Sequence, residues 1–572
     1  MSMTKEHAEQ YKNDPAVLCC RATKGTVIGP AELEDPAIFP DMIDSGLISI
    51  GPGTLTVGEV LGATLIRDVD GLTALTGELL EGVKAKAASP VQAVPAPSAA
   101  QSAPVQSGGV MRIVAQQITG LDMTIPMGVY AGAPAAECPG EKEWDEELGS
   151  LEKREFAVKE VKLGGKTLFE NGVLTIREDI VRDALKVSSL VKKLEIDIIT
   201  PDKRHVRTET VMDVIPVATK IEGDIGSGVT HILDDMVFML TGVDEDGVQV
   251  HEFGSCEGML DEKVIFGRPG CPDQNDIIVR VHAVLQRLTG MERRGPYAAH
   301  KACDFIIQEI RDVLKTKSAT EASKTEILKS VRRHGRARVV LVKEIMGQGA
   351  MHDNVMLPSE PAGVPGGRQN VDLGNVPIVM DVNEVRDGGI HALCCIGPAT
   401  KEVTRHYFRE PILEALAADE EVDLVGVVFI GSPQVNDEKT FVAKRLGALV
   451  GTMNVDGAIV TTEGFGNNHI DFALNIEEIG KRGISVVGVS FCAYQGQLVV
   501  GNKYMDAMIE INKDKAGFES EKLAENSITP DDAKRAILML KTKISGIAVA
   551  PSDRKWNQEV IDQNQKTANA IV

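Results

Sequence analysis

The most regular hydrophobic patterning lies in the last third of the chain. Val422-Asp-Leu-Val-Gly-Val-Val-Phe-Ile, Gly457-Ala-Ile-Val-Thr-Thr and Ile484-Ser-Val-Val-Gly-Val-Ser-Phe are continuous apolar runs, the pattern of strands buried on both faces. Between them, Lys439–Leu449 and Asp471–Lys481 read as amphipathic helices. This alternation predicts an α/β fold with a parallel βαβαβ sheet unit, placed at residues 395–572. Each strand runs into a polar, glycine-bearing loop: Gly431-Ser-Pro-Gln434, Glu463-Gly-Phe-Gly-Asn-Asn-His469 and Cys492-Ala-Tyr-Gln-Gly-Gln497. Open α/β sheets bind ligands beyond the carboxyl ends of their strands, which makes Glu463, Asn467, Asn468 and His469 candidate substrate-binding residues. Loops that merely cap the sheet would have the same composition.

Upstream, residues 110–394 read as a mixed α+β central body. Glu155–Val161, Leu194–Ile199 and Val211–Val217 alternate apolar and polar positions as strands do. Pro296 opens a helix whose stripe of Ala299, Cys303, Ile306, Ile307, Ile310 and Leu314 points Cys303 at the core. Glu344 through Pro365-Gly-Gly is a long glycine- and proline-rich loop of the kind that builds sites. Residues 1–84 alternate short apolar runs with Gly and Pro turns, predicting a small β-rich N-terminal module. Between module and body, Ala85–Gly109 is dominated by Ala, Pro, Ser and Gln without periodicity and reads as a tether.

Composition narrows the function. The net charge of −22 disfavours nucleic acid and anionic membrane surfaces as partners, and only 4% of residues are aromatic, which weakens base stacking further. A small carboxylate ligand would need a local cationic pocket. No apolar run is long enough to span a bilayer, and the N-terminus is polar, so a cytoplasmic protein is expected. Nine cysteines without regular spacing fit thiols in a reducing compartment. Cys256 and Cys271 lack ligand partners at metal-binding spacing, no nucleotide-binding glycine motif is present, and no metal is expected. Arg332-Arg-His-Gly-Arg336-Ala-Arg338 is a basic cluster suited to a solvated face or an acidic partner.

The densest candidate chemistry is His391-Ala-Leu-Cys394-Cys395-Ile-Gly-Pro398. A cysteine pair between the flexible run Arg386-Asp387-Gly388-Gly389 and a Gly-Pro turn suits a chain that cuts itself; a buried, inert pair at a strand end is the plain alternative. If Cys395 reacts, its thiol attacks the carbonyl of residue 394 and shifts the acyl group from nitrogen to sulfur. Elimination then releases the upstream chain as a thiocarboxylate. The dehydroalanine left behind tautomerises and hydrolyses to a pyruvoyl group. Cys394 competes for the same role.

HALCCIGPATKEVTRHYF, VLCCRATKGTVIGPAELEDPAIFPD and RRHGRARVVLVKEIMGQGAMHDNVMLPSEPAGVPGG together resemble the D-proline reductase proprotein family, related to component B of glycine, sarcosine and betaine reductases. The likeness covers essentially the whole chain and is weakest in the tether. It implies cleavage before a cysteine, which becomes the pyruvoyl group of the smaller chain. The family pattern Cys-apolar-Gly-Pro favours Cys395, while a cysteine at 394, where a small hydroxyl side chain is expected, departs from it. Such a carbonyl captures D-proline as an iminium, and ring opening then gives 5-aminovalerate.

The resemblance further implies a selenocysteine-containing small reductase subunit as nucleophile, a dithiol or electron-transfer protein as reductant, and an oligomer of processed chains. Helical spacing would put Lys401, Arg405 and Arg409 on one face, where one could hold the substrate carboxylate, and His406 could protonate the departing amine. A salt-bridged surface helix is the alternative. The rival readings are component B of a glycine, sarcosine or betaine reductase, a pyruvoyl-dependent decarboxylase, and an unprocessed, non-catalytic paralogue.

Overall fold

The computed structural model describes residues 5–18, 22–36, 39, 50–69, 73–83, 144–250, 256–290, 294–345, 375–391, 403–433, 436–462, 468–491, 500–513, 517 and 520–549, with the backbone of 111–114 and 122–125. The chain divides into two compact units, 1–142 and 143–572. The first has its own small core, in which Leu18, Ile28, Leu33, Val57, Val60 and Leu75 are buried. Met111–Val114 pairs antiparallel with Asp122–Ile125, but within residues 1–84 the β content consists largely of isolated bridges, such as Val17 with Ala74, and one two-residue pairing of Thr64–Leu65 with Leu80–Glu81. The apolar runs between its Gly and Pro turns are too short to extend a ladder. Cys19, Cys20 and the tether 85–109 lie outside the described residues.

Apart from a small three-stranded sheet over residues 160–177 and a two-residue pairing of Arg207–Thr208 with Gly258–Met259, the second unit opens with strands β1 (Trp144–Ala157), β2 (Val191–Ile199), β3 (Thr210–Ile215), β4 (Ala218–Glu222), β5 (Gly228–Asp234), β6 (Met236–Asp244) and β7 (Ile277–Leu285). The long helix α1 (Arg294–Leu314) follows, then β8 (Lys324–His334) and β9 (Ala337–Ile345). Two mixed sheets result, ordered β3-β6-β7-β2 and β4-β5-β1-β8. The expected run Glu155–Val161 is broken. Strand β1 ends at Ala157 and a separate strand starts at Glu160, because Val158 N donates to Asp234 O (3.0 Å) and Lys159 N to Gly172 O (2.7 Å), moving the chain between sheets. On α1 the predicted stripe is buried throughout, Cys303 included.

The third sheet is the parallel one. Its elements are β10 (Ile378–Met380), α2 (Val382–Arg386), α3 (Thr404–Phe408), α4 (Pro411–Ala418), β11 (Val422–Gly431), α5 (Asn436–Thr452), β12 (Gly457–Thr462), α6 (Asn468–Gly480), β13 (Ser485–Ser490), β14 (Met508–Glu510) and α7 (Pro530–Ile544). The strand order is β10-β11-β9-β12-β13-β14, parallel except at β10. The expected βαβαβ unit forms within a larger sheet, and β9, from well upstream of Cys395, lies between β11 and β12.

Helices cover both faces. Leu341, Phe429 and Ile459 pack with Leu416 of α4 and Leu540 of α7, in a core that continues into Val211, Val214, Val237 and Met239 of β3 and β6. On the other face Val340, Val342 and Val428 meet Leu446 of α5 and Phe472 and Ile476 of α6. One hydrophobic core therefore joins chain on both sides of residue 395.

Candidate functional site

Cys394, Cys395, Lys401, Glu463 and Asn467 lie outside the described residues. Both flanks of the cysteine pair are described, and both are anchored. Upstream, Asp381 caps α2 by accepting from Asn383 N (2.8 Å), and Glu384 completes a capping box. The following Arg386-Asp387-Gly388-Gly389 was expected to be flexible and is instead tied down. Arg386 makes a two-pronged pair with Glu414 at 2.9 and 2.6 Å. The buried Asp387 carboxylate accepts from Gly226 N (2.8 Å) and Thr230 Oγ1 (2.5 Å) and pairs with Lys220. Gly388 takes the left-handed turn that ends the helix (φ +88°), and a Cβ on Gly389 would meet Glu384 O at 2.8 Å and the Met380 methyl.

Four residues before Cys395, His391 is buried with Nε2 3.7 Å from Asp213 Oδ2. Nine residues after it, Thr404 donates to the same carboxylate, from its amide to Oδ1 (2.8 Å) and from its hydroxyl to Oδ2 (2.6 Å). Asp213 is fully buried on β3, where a shift of register against β6 between Val211 and Asp213 marks a bulge. Bulges re-aim side chains, and this one accompanies a carboxylate carried in an otherwise apolar strand. Its Oδ1 also accepts from Val214 N (2.7 Å).

From α1, His300 Nε2 stands 3.4 Å from Asp213 Oδ2, and its Nδ1 is 2.9 Å from Pro296 O. Burial pushes the His300 ring toward neutrality, but the Asp213 carboxylate outweighs it and holds the imidazole's proton above the usual histidine range. His391, its ring edge-on to that of His300 at 6.0 Å, is held neutral by burial and by the His300 and Arg311 charges. One turn along α1, buried Asp304 is pushed up to about 7 by burial, opposed by Arg311 and His300.

The downstream flank does not form the continuous helix on which the spacing of Lys401, Arg405 and Arg409 was read. Helix α3 is only five residues long, and Arg409 closes it at φ −135°. Pro411 opens α4 and keeps the preceding Glu410 extended, so α3 cannot continue. The Arg405 guanidinium pairs with Asp276 and, at 2.9 Å, with Asp273. Arg409 pairs with Asp273 (2.8 Å) and donates to Pro269 O (3.1 Å). Both are occupied by the 268–276 loop. His406 is fully buried, its ring edge-on to Tyr407 at 6.1 Å. Lys153 of β1 lies 4.5 Å over the Phe408 ring, and burial lowers its ammonium to about 8.

A second polar cluster occupies the carboxyl edge of the parallel sheet. Adjacent residues of β9 face opposite sides, with Lys343 paired to Glu410 at 3.2 Å and Glu344 accepting from Asn475 Nδ2 at 2.9 Å. On the Glu344 side, Asp471 accepts from Ser432 (2.6 Å) and pairs with Lys439. Burial, and then the Asp471 charge, push Glu344 well above the usual carboxylate range. Of the expected loop residues, Asn468 opens α6, and His469 is buried with Nε2 3.0 Å from Ser490 Oγ. Because Glu410 precedes α4 and meets Lys343 near the end of β9, the chain downstream of residue 403 arrives at this same edge.

Sequence reasoning missed Asp213, His300 and Thr404 as site residues. The available signals were a carboxylate inside the apolar run Val211–Val217 and a histidine four residues after Pro296. The basic 332–338 cluster is satisfied within the chain. Asp423 accepts from Arg333 N (2.9 Å) and lies 3.4 Å from Arg332, while Arg336 donates to Glu420 O. Cys256 and Cys271 are buried in the apolar core, and burial pushes the Cys271 thiol up to about 12. Among the described residues no His, Cys, Asp or Glu group is arranged to hold a metal, and no helix is long and apolar enough to cross a membrane.

Residues 150–509 match the family described as glycine/sarcosine/betaine reductase component B subunits. The chain is 51% identical to the D-proline reductase proprotein PrdA of Acetoanaerobium sticklandii, over 99% of this chain and 94% of that protein. It is 26% identical to glycine reductase complex component B subunits alpha and beta of Peptoclostridium acidaminophilum, over 63% of this chain and 84% of that one. The sarcosine reductase complex component B subunit alpha of the same organism is 25% identical over 59% and 78%. No solved structure matches the chain.

Proposed function

The chain belongs to the glycine/sarcosine/betaine reductase component B family, and we propose that it is a D-proline reductase proprotein that cuts itself before Cys395. The observation that carries this reading is the 51% identity to a D-proline reductase proprotein, sustained over 99% of the chain. The component B relatives cover less of it at half that identity, which makes them the second reading.

The described residues suit a group generated at position 395. His391 and Thr404, on either side, meet on one buried carboxylate, and the chain leads from there to the carboxyl edge of a parallel sheet. Once formed, the pyruvoyl carbonyl supplies an electrophile for the ring nitrogen of D-proline and makes that nitrogen a better leaving group. The chain's own residues bind and position. Since Arg405 and Arg409 are committed to Asp273 and Asp276, we assign them to holding α3 in place, which leaves Lys401 as the cationic candidate for the substrate carboxylate. Glu463, Asn467, Asn468 and His469 are the further candidates for binding the substrate, and His406 is the candidate proton donor to the amine. The nucleophile that opens the ring comes from a selenocysteine-containing subunit, regenerated by a dithiol or electron-transfer protein. The free cysteines described here are all buried, a setting that keeps thiols protonated and inert.

Intact mass spectrometry tests the reading. Active protein is expected as two chains, 1–394 and 395–572, the second refractory to Edman degradation and reactive with phenylhydrazine. Cys395→Ala is expected to leave a single chain. Full activity in an uncut polypeptide, or after stoichiometric carbonyl labelling, would overturn it. Preferential turnover of glycine or betaine would move the assignment to the second reading.

A further inference from the structure

We propose that Asp213, with His300 and Thr404, is the positioning set that brings the chain on both sides of residue 395 into the geometry for self-cleavage. The inference rests on the reading that the chain is cut before Cys395, and it assigns a role to residues on elements remote from the cut in sequence.

The cut exchanges the amide C–N bond between residues 394 and 395 for a C–S bond to the Cys395 thiol. The sulfur then leaves Cβ with the upstream acyl group as a thiocarboxylate while the Cα proton passes to a base. Water finally replaces the nitrogen, released as ammonia. None of these steps needs an oxidant or reductant. The first is intramolecular, so its rate depends on how long the thiol and the carbonyl are held in line, and a misplacement of about 1 Å costs such a reaction on the order of 100-fold.

Asp213 supplies that restraint. Thr404 is hydrogen-bonded to Asp213 through its amide and its hydroxyl, and the neutral His391 ring lies against the same oxygen, Oδ2, at 3.7 Å, so one carboxylate adjoins both flanks. The carboxylate accepts from three groups, Thr404 N and Val214 N on Oδ1 and Thr404 Oγ1 on Oδ2. His300 supplies the compensating cation: its Nδ1 faces Pro296 O, leaving Nε2 to face the carboxylate. Behind the pair, α1 also carries the buried charged groups Asp304 and Arg311. The upstream flank is fixed independently by Arg386 on Glu414 and Asp387 on Lys220, and the downstream flank by Arg405 on Asp276. Asp213 is the group that touches both.

The test follows conversion of freshly synthesised full-length chain into two chains on denaturing gels. Asp213→Asn keeps the shape but removes the charge His300 needs, and Thr404→Val removes the hydroxyl; each is expected to slow cleavage at least about tenfold. Thr404→Ser keeps the hydroxyl and is expected to cleave within about twofold of the parent. Asp423→Asn is the control for lost stability: Asp423 is equally buried and holds Arg332 and the Arg333 amide at the amino end of the sheet. It should lower Tm without slowing cleavage. If Asp213→Asn fails to fold, the Thr404 pair decides. Parent-like cleavage in Thr404→Val, or equally slow cleavage in Asp423→Asn, would overturn the proposal. An uncut parent chain, or cleavage of Cys395→Ala, would instead sink the reading on which it rests.

Discussion

Two buried polar clusters of the second unit make an instructive contrast. Around Asp213, groups from β3, α1 and the two flanks of residue 395 converge from positions 213, 300, 391 and 404. Around Asp471, the partners Ser432, Lys439, Glu344 and Asn475 all belong to one α/β layer, at strand ends and on the helices that follow. Both bury carboxylates almost completely. The second follows from topology, because parallel strands end together and their loops lead into covering helices. The first joins a strand, a long helix and both flanks of residue 395, and nothing in the topology requires it. A charge cluster that local architecture does not explain is the better pointer to a task.

The sharpest way to break the contrast is to remove the cation from the second cluster. Lys439→Met leaves Asp471 without its partner and Glu344 beside it in the interior, and is expected to lower unfolding stability by about 3–5 kcal/mol. Replacing Lys439 and Asp471 together by Met and Leu should recover much of that loss, since well-packed apolar groups often substitute for a buried ion pair. The corresponding apolar replacement of Asp213 and His300 should not restore cleavage, because Thr404 would still lack its acceptor. Urea unfolding for one pair and cleavage gels for the other check the distinction. Recovery of cleavage by the apolar pair would erase it.

A smaller effect is expected at the upstream flank. Gly389→Ala puts a methyl against Glu384 O at 2.8 Å and against the Met380 side chain. Backbone on one side leaves little room to yield, so the strain should cost about 1–3 kcal/mol. If the Asp213 cluster acts by holding the flanks, this change should also slow cleavage. Slower cleavage with Tm unchanged, or a lower Tm with cleavage unchanged, would separate anchoring from packing.

The same contrast explains what the sequence made legible. Strands β11, β12 and β13 were readable because each is a continuous apolar run, and their helices because the periodicity changes between them. Strand β9 was obscured at its end. Glu344 reads as the start of a loop, yet it and its neighbour Lys343 are fully buried in the strand because each finds a partner on its own face of the sheet. The run 386–389 was misread for a related reason: two glycines suggest freedom, but composition cannot show that Arg386 meets Glu414 or that Asp387 meets Lys220. Arg405 and Arg409 carried the right charge for a substrate carboxylate, and only the folded chain reveals Asp273 and Asp276 opposite them. The cysteine pair stood out in the sequence, whereas Asp213 did not: local patterns reveal nucleophiles more readily than the distant groups that hold them.

The smallest predicted effect turns the Asp213 cluster into a pH measurement. Burial raises Asp304 from an ordinary value of 3.8 to about 7. Between those values the folded chain keeps a proton that the unfolded chain releases, so unfolding free energy falls as pH rises through this window, and the loss is complete above it. Asp304→Asn removes the titration while keeping the shape. Linkage alone sets an upper bound of about 4 kcal/mol, and leaving a buried amide imperfectly paired costs about 1–3 kcal/mol, so a net gain of roughly 1–2 kcal/mol is expected at pH 8. By pH 4 the gain should vanish or reverse, because the folded carboxyl is then protonated, the unfolded one is close to its midpoint, and little of the linkage remains. Tm of variant and parent, taken in parallel from pH 4 to 8, isolates this group from the others that titrate, Glu344 included. A pH-independent difference would mean that Arg311 and His300 keep Asp304 ionised, and the charge balance around Asp213 would then contain one more anion.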